Sequence, residues 1–385
     1  MAQPKDFGFG TEETMLRDEA RRFFKKNCDD SKLMELVGGN SNPNREPECN
    51  WDEKLWNQIV DLGWTILAVP EELEGIGSSA ACVAGLMEEA GRAAFPSPLL
   101  ANVNATYVLN ACGTDGAKKA LGEIVDGNTI SLAIINKVGS WEFADTDVSA
   151  SGSDPTTLDG TSYYVQDAQK VDYFLVKAVS DAGVGLYVVP VDAPGVTIVP
   201  DRIHDLTRDQ AHVEFKSVAV DPAFVAAPAG KGDGVIEAAM PAIHTMTAAD
   251  MVGAGEWQLQ TTAEYARTRV QYDHPIGFFQ AVKHPIVDVM IEIDHARSLV
   301  YNAACAIDHE PDQAALCAHM AQSTASDMAE FASNRSVQFH GGIGFTWECF
   351  IHLHFKRQVH NQVLYGDGGY HRSKLADMVM GPIAA

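Results

Sequence analysis

Apolar positions along the chain change period twice, and the changes divide it into three zones. Up to about Asn128 the spacing is helical. Thr11 is placed to cap a first helix, with Glu12 and Glu13 at its positive end and Leu16, Ala20, Phe23 and Phe24 as its apolar stripe. The turn-forming stretch 38–50 predicts a loop, and two more helices are expected over Trp51–Leu62 and from about Ala80 to Ala94, where Pro96 and Pro98 stop the second. From about Thr129 to Val220 short runs such as Tyr173–Val176, Leu186–Val189, Val196–Val199 and His212–Phe215 alternate with Gly, Pro and Asp. Tyr163–Val165 reads the same way. With no helical segment between them, these strands predict an antiparallel sandwich or barrel, and 146–160 reads as a shortened surface turn. Beyond Pro241 the helical period returns. Ile286, Val289, Ile293, Ala296, Val300 and Ala303 share one face of a long helix, as a bundle requires. The expected architecture is α+β: an N-terminal α-helical domain over 1–128, a middle antiparallel β-domain over 129–230 and a C-terminal four-helix bundle over 231–385.

Composition narrows the function classes. The chain has 385 residues, 46% of them hydrophobic, which suffices for two or three domains. It has no apolar run of about 18 residues, so no membrane span is expected. Its first residues lack the pattern of a secretory signal. Seven scattered cysteines without a CxxC pair point to a reducing, cytoplasmic setting. A net charge of −24 disfavours nucleic acid as a partner.

Four segments carry a resemblance. Val69–Gly77 (VPEELEGIG) is followed by a helix with Glu88-Glu89-Ala90-Gly91-Arg92. Arg267-Thr-Arg269-Val-Gln271-Tyr272-Asp273-His-Pro275-Ile276 precedes Phe279-Gln280. Gln338-Phe-His-Gly341-Gly342-Ile-Gly344-Phe345 and Leu364-Tyr365-Gly366-Asp367 follow. In order and spacing these are similar to the VPEExGGxG, RxQFGxPIxxFQ, QxxGGxGF and IYEGT segments of the acyl-CoA dehydrogenase family. The resemblance implies FAD as cofactor and an oxidoreductase reaction, the α,β-dehydrogenation of an acyl-CoA thioester. It implies that Arg269, Gln271, Tyr272, Gln280, Gln338, Gly341 and Gly342 contact FAD, some of them the FAD of a dimer partner. An arginine fork suits a pyrophosphate, and paired glycines let backbone approach a ligand closely. It further implies a tetramer passing electrons to an electron-transfer flavoprotein.

Three departures qualify this picture. The family's base, a carboxylate in the IYEGT loop, is replaced by Gly366. The nearest acid, Asp367, is the candidate catalytic residue, and in Tyr-Gly-Asp-Gly-Gly it is equally a turn former. On the first bundle helix, Asp250, Glu256 and His244 are weaker alternatives. The TEPxxGSD and WIT-like segments that contact the flavin ring are missing from 133–145 and 165–173, where Trp141 is a candidate for stacking on the ring and equally a packing residue. Asp273 stands where the family has Gly, close to the expected pyrophosphate. Losses at the ring and the base, with the remaining FAD contacts kept, resemble the degenerate partner subunits of heteromeric dehydrogenases of bacterial steroid side-chain degradation. A homologous second subunit in a heterotetramer is therefore expected, with a homo-oligomer as the alternative. Two other readings stay open: a catalytically inactive scaffold, and a flavin oxidase or monooxygenase on the same fold.

Overall fold

The computed structural model describes residues 10–37, 51–152 and 155–381, so the loop expected over 38–50 lies outside the described residues. The N-terminal zone folds as α1 (Thr11–Asn27), α2 (Asp30–Val37), α3 (Glu53–Asp61), α4 (Ala80–Arg92), α5 (Leu99–Cys112) and α6 (Asp115–Val125). Thr11 is the first helical residue, and the cap position belongs to Gly10. The Gly10 N–H donates to the Glu13 carboxylate at 3.0 Å while its carbonyl accepts from Thr14 Oγ1 at 2.8 Å. The cap therefore sits one residue earlier than the side-chain chemistry of Thr11 suggested.

Strands β1 (Ile130–Ala133), β2 (Val148–Ser151), β3 (Thr156–Gln166), β4 (Tyr173–Ser180), β5 (Gly183–Pro190), β6 (Val196–Pro200), β7 (Gln210–Val220) and β8 (Val225–Ala227) join in one eight-stranded sheet. Its order is β6-β7-β3-β2-β4-β5-β8, with β1 also on β4. Most ladders are antiparallel, but β1 and β2 both run parallel to β4. A single branched sheet thus replaces the closed barrel or sandwich, and the region read as a surface turn over 146–160 is largely strand. Val148, Ala150 and Leu158 explain the miss: they point inward in alternation across a β2–β3 pair too short to show the period in sequence.

The C-terminal zone begins at Gly232, nine residues before Pro241. α7 (Gly232–Thr268) runs through that proline, and Thr245 Oγ1 donates to the Pro241 carbonyl at 2.7 Å. A two-residue hairpin, β9 (Val270–Gln271) and β10 (His274–Pro275), leads to α8 (Gln280–His309) and α9 (Pro311–His340). α10 (Ile351–Val363) and α11 (Gly368–Met380) then pack against α9. α8 buries Val289, Ile293, Ala296, Val300 and Ala303 as the periodicity required. Among the described residues no helix is long and apolar enough to cross a membrane, and the six described cysteines are free thiols.

The motif residues near the N-terminus serve packing. A Cβ on Gly253 of α7 would lie 1.7 Å from the Glu88 carbonyl of α4, and one on Gly91 would lie 2.1 Å from the Asp250 carbonyl. Only glycine permits so close a crossing. Glu89 holds Arg21 by two hydrogen bonds at 2.8 and 3.1 Å, and Glu88 accepts from Arg297 and Tyr301. Both acids therefore tie α4 to α1 and α8.

Candidate functional site

Chemistry-bearing residues gather in two places, an exposed rim at one end of the bundle and a buried seam between sheet and bundle. The rim begins where α7 ends. Arg269 closes the helix through its N–H to the Tyr265 carbonyl at 2.8 Å, and its side chain makes no hydrogen bond or ion pair among the described residues. The hairpin that follows turns on Tyr272 and Asp273, at φ +53° and +62°, where left-handed backbone favours small or Asx residues. Asp273 thus occupies the glycine position by conformation. It forms no ion pair with Arg267, which pairs with Glu264 at 3.0 Å. Gln271, Tyr272 and Gln280 are exposed, Tyr272 by 86%.

The second rim segment lies at the end of α9. Gln338 is exposed, and Gly341 (φ +63°, ψ −140°) and Gly342 have open space wherever a side chain would go. Tyr265 stacks on His340 with ring centroids 4.5 Å apart, which fixes the end of α7 against the end of α9. The two sequence motifs therefore meet at one end of the bundle. An unpaired guanidinium and an unobstructed Gly-Gly turn at the same end of the bundle are each of a kind that suits the diphosphate portion of a dinucleotide.

The seam is different in kind. Asp250 is fully buried, and its carboxylate accepts from Arg357 at 2.9 and 2.5 Å and from Asn361 at 2.6 Å, with Arg208 at 3.2 Å. The two guanidinium groups hold its pKa below the ordinary range against burial. Glu256 pairs with Arg297 at 2.6 Å. Asp250 and Glu256, the two acids of α7 weighed as alternative bases, are thus structural anchors. The same seam contains His360, which meets the Gln166 side chain of β3 at 2.7 Å, and burial lowers its pKa to about 4.

Beside this network a cavity of about 160 Å³ opens between the sheet, α7, α9 and α11. Its walls include Trp141, Lys177, His244, His319, Tyr365 and Tyr370. Trp141 packs on Tyr370 at 5.0 Å, and Glu142 reaches Lys374 at 3.2 Å, so segment 136–145 covers the opening. Burial lowers the pKa of Lys177 to about 8, partly opposed by Asp145. Ligand pockets that enclose a molecule of drug size span roughly 300–1,000 Å³, so this cavity does not fit a flavin ring together with an acyl group.

Gly366 explains the cavity's form. It sits at φ +121°, and a Cβ there would meet Tyr370 at 2.5 Å and His371 at 2.8 Å. The space of a glutamate side chain is filled by these two rings. Asp367, the sequence candidate for base, is exposed. It caps α11, its Oδ1 accepting from the Tyr370 N–H at 2.7 Å, and it does not line the cavity. His244 does line it. Missed by sequence reasoning were Lys177, His319 and Tyr370. The available signal for His319 was a lone histidine within an alanine-rich helix face (Ala314, Ala315, Ala318, Ala321).

Comparison with known proteins places this geometry. Residues 10–128 match the model of the acyl-CoA dehydrogenase N-terminal domain, and residues 230–380 match that of the C-terminal domain. The chain is 33% identical over 310 residues to acyl-CoA dehydrogenase IpdE2 of Mycobacterium tuberculosis, covering 80% of each protein. In structure it resembles the ChsE4–ChsE5 complex from Mycobacterium tuberculosis, with a TM-score of 0.85 and 25% identity over 98% of this chain and 100% of that one. A Tcur3481–Tcur3483 steroid ACAD variant matches with a TM-score of 0.82 and 26% identity, over 96% of this chain and 98% of that one. The chain belongs to the acyl-CoA dehydrogenase family.

Proposed function

We propose that this chain is one subunit of a heteromeric, FAD-dependent acyl-CoA dehydrogenase, and that it completes an FAD site at the interface without turning over substrate by itself. The observation that carries this reading is the contrast between rim and cavity. Arg269, Gln338, Gly341 and Gly342 stand open and unpaired, as contacts awaiting a ligand, while the base position is glycine and the space around it is occupied by side chains. Exposed Tyr272, Phe278 and Phe345 add apolar area around the rim, of the kind a partner chain covers.

FAD, when bound, supplies the hydride acceptor for the acyl Cβ. The role of this chain is then binding and orientation. Arg269 would hold the diphosphate, the Gly341-Gly342 turn would let backbone N–H groups approach it, and Gln338 and Gln280 would offer amide donors. Gln271 and Tyr272, at the hairpin, border the same ligand. A homologous subunit would bring the ring contacts, the base and the acyl-CoA pocket, with an electron-transfer flavoprotein as the electron-accepting partner of the assembly. The solved ChsE4–ChsE5 and Tcur3481–Tcur3483 pairs support a two-chain assembly, and a steroid-derived acyl group is the substrate class that the second of them suggests.

Purification decides between this and an autonomous enzyme. The chain expressed alone is expected to be colourless and to gain a flavin band only with a homologous dehydrogenase subunit. A yellow lone chain whose band is bleached by acyl-CoA overturns the reading.

A further inference from the structure

The imidazoles of His244, His319 and His371 converge beside the cavity, each offering a nitrogen within 4.8 Å of the other two. They come from α7, α9 and α11, three helices whose packing fixes the spacing. All three rings are at least nine-tenths buried. His371 Nε2 lies 3.2 Å from the Gly366 carbonyl, which can only accept, so that nitrogen carries the proton and Nδ1 keeps a lone pair. His319 Nδ1 faces that lone pair at 2.7 Å. His244 has the Tyr365 backbone as its hydrogen-bond partner, and its Nε2 has no partner among the described residues. A buried nitrogen of this kind calls for an explanation.

We infer that this cluster is a binding site for a divalent transition-metal ion, of the zinc class, held by three neutral imidazoles and bordering the cavity. Donor type points to that class, because imidazole suits zinc, cobalt, nickel and copper over magnesium or calcium. Backbone carbonyls of the 365–366 loop serve as outer partners, the arrangement that orients histidine ligands in metal sites. Burial keeps all three rings in the unprotonated form that binds metal, with the pKa values of His319 and His371 lowered to about 4. An ion about 2.0–2.1 Å from each nitrogen needs nitrogens roughly 3.4 Å apart. The His319–His371 contact opens by several tenths of an ångström to reach this, and His319 moves its proton to Nε2. His244 and His319 line the cavity directly, so a fourth ligand, water or a substrate oxygen, enters from that side. Gly366 is part of the site, since a side chain there would displace His371. The inference is independent of flavin binding.

The test uses the full chain, tag removed and stripped with chelator, alone and with its partner subunit. Zinc is titrated calorimetrically, cobalt by its visible ligand-field absorption, and X-ray absorption counts the imidazoles around bound zinc. One ion per chain with three imidazole ligands is the expected result. His319→Ala and His371→Asn are expected to weaken binding at least about tenfold. Wild-type chain that retains no stoichiometric zinc, or zinc with fewer than three imidazoles, overturns the inference. So does unchanged affinity in both variants. Should a variant fail to fold, the ligand count on wild-type protein decides alone.

Discussion

The rim and the seam are built from similar residues and differ in what those residues face. At the rim, Arg269 ends a helix with its guanidinium unpaired, whereas in the seam Arg208 and Arg357 spend theirs on Asp250 and on the side chains of Asn361 and Thr207. Gly341 has empty space around it, whereas Gly366 is hemmed in by two rings. The difference teaches that a motif's residue types do not state its role. An arginine or a glycine is a ligand contact when its surroundings leave it unsatisfied, and a packing element when they do not.

The comparison can be broken most forcefully at the seam. Replacing Arg357 by Met leaves Asp250 with Arg208 and Asn361 alone, and a loss of about 3–5 kcal/mol in urea unfolding is expected. A loss below about 1 kcal/mol, the range of an exposed pair, would show that the seam is not a closed network. Acid probes the same region. His354 and His360 have folded pKa values lowered to about 4 from 6.5. The unfolded chain binds more protons between those values, so stability is full above about pH 6.5 and falls as pH drops toward 4. The upper limit is about 1.4 kcal/mol per pH unit for each such histidine. A flat urea midpoint across that window would contradict their neutral burial.

At the rim the expected effects are on ligand, not on fold. Arg269→Gln in the two-subunit complex should weaken FAD binding roughly 10- to 100-fold, from the loss of charge-assisted hydrogen bonds, with the urea midpoint unmoved. Flavin fluorescence titration reads it, and unchanged affinity would remove Arg269 from the site. The smallest effect belongs to Asp367→Asn. Asparagine caps a helix about as well as aspartate, so stability should shift by less than about 0.5 kcal/mol, and turnover of the complex should be unchanged. A large drop in turnover would restore Asp367 as a base.

Much of the fold was legible because its helices are long and amphipathic. The stripe through Val289, Ile293, Ala296 and Val300 is a signal that survives averaging over turns. The strand pair over 148–158 was not legible: four alternating residues and a short connection resemble a loop. The rim residues stand out in sequence because they sit in two short motifs, Arg269 in one and Gln338 with Gly341-Gly342 in the other, and their contact with FAD is the proposal made above. The seam was hidden because its partners lie far apart in sequence. Asp250 meets Arg357 across 107 positions, and the three histidines come from three helices. Charge alone made Asp250 look available for chemistry, and only its neighbours show that it is committed.

The crossing of α4 over α7 carries a mechanical consequence. With backbone in contact through Gly91 and Gly253, there is no side-chain layer between those helices to shear. The N-terminal helices and the bundle therefore move as one stiff frame. Compliance must reside elsewhere. The cover of the cavity is tied at Lys137 to Asp147 and Tyr164 and packs Phe143 against the apolar core, but it meets α11 through Trp141 on Tyr370 and the partly exposed pair Glu142 with Lys374. Such contacts are worth roughly 0.5–1.5 and 0–1 kcal/mol. That side of the cover is therefore the light latch, while the frame beneath it is joined backbone to backbone.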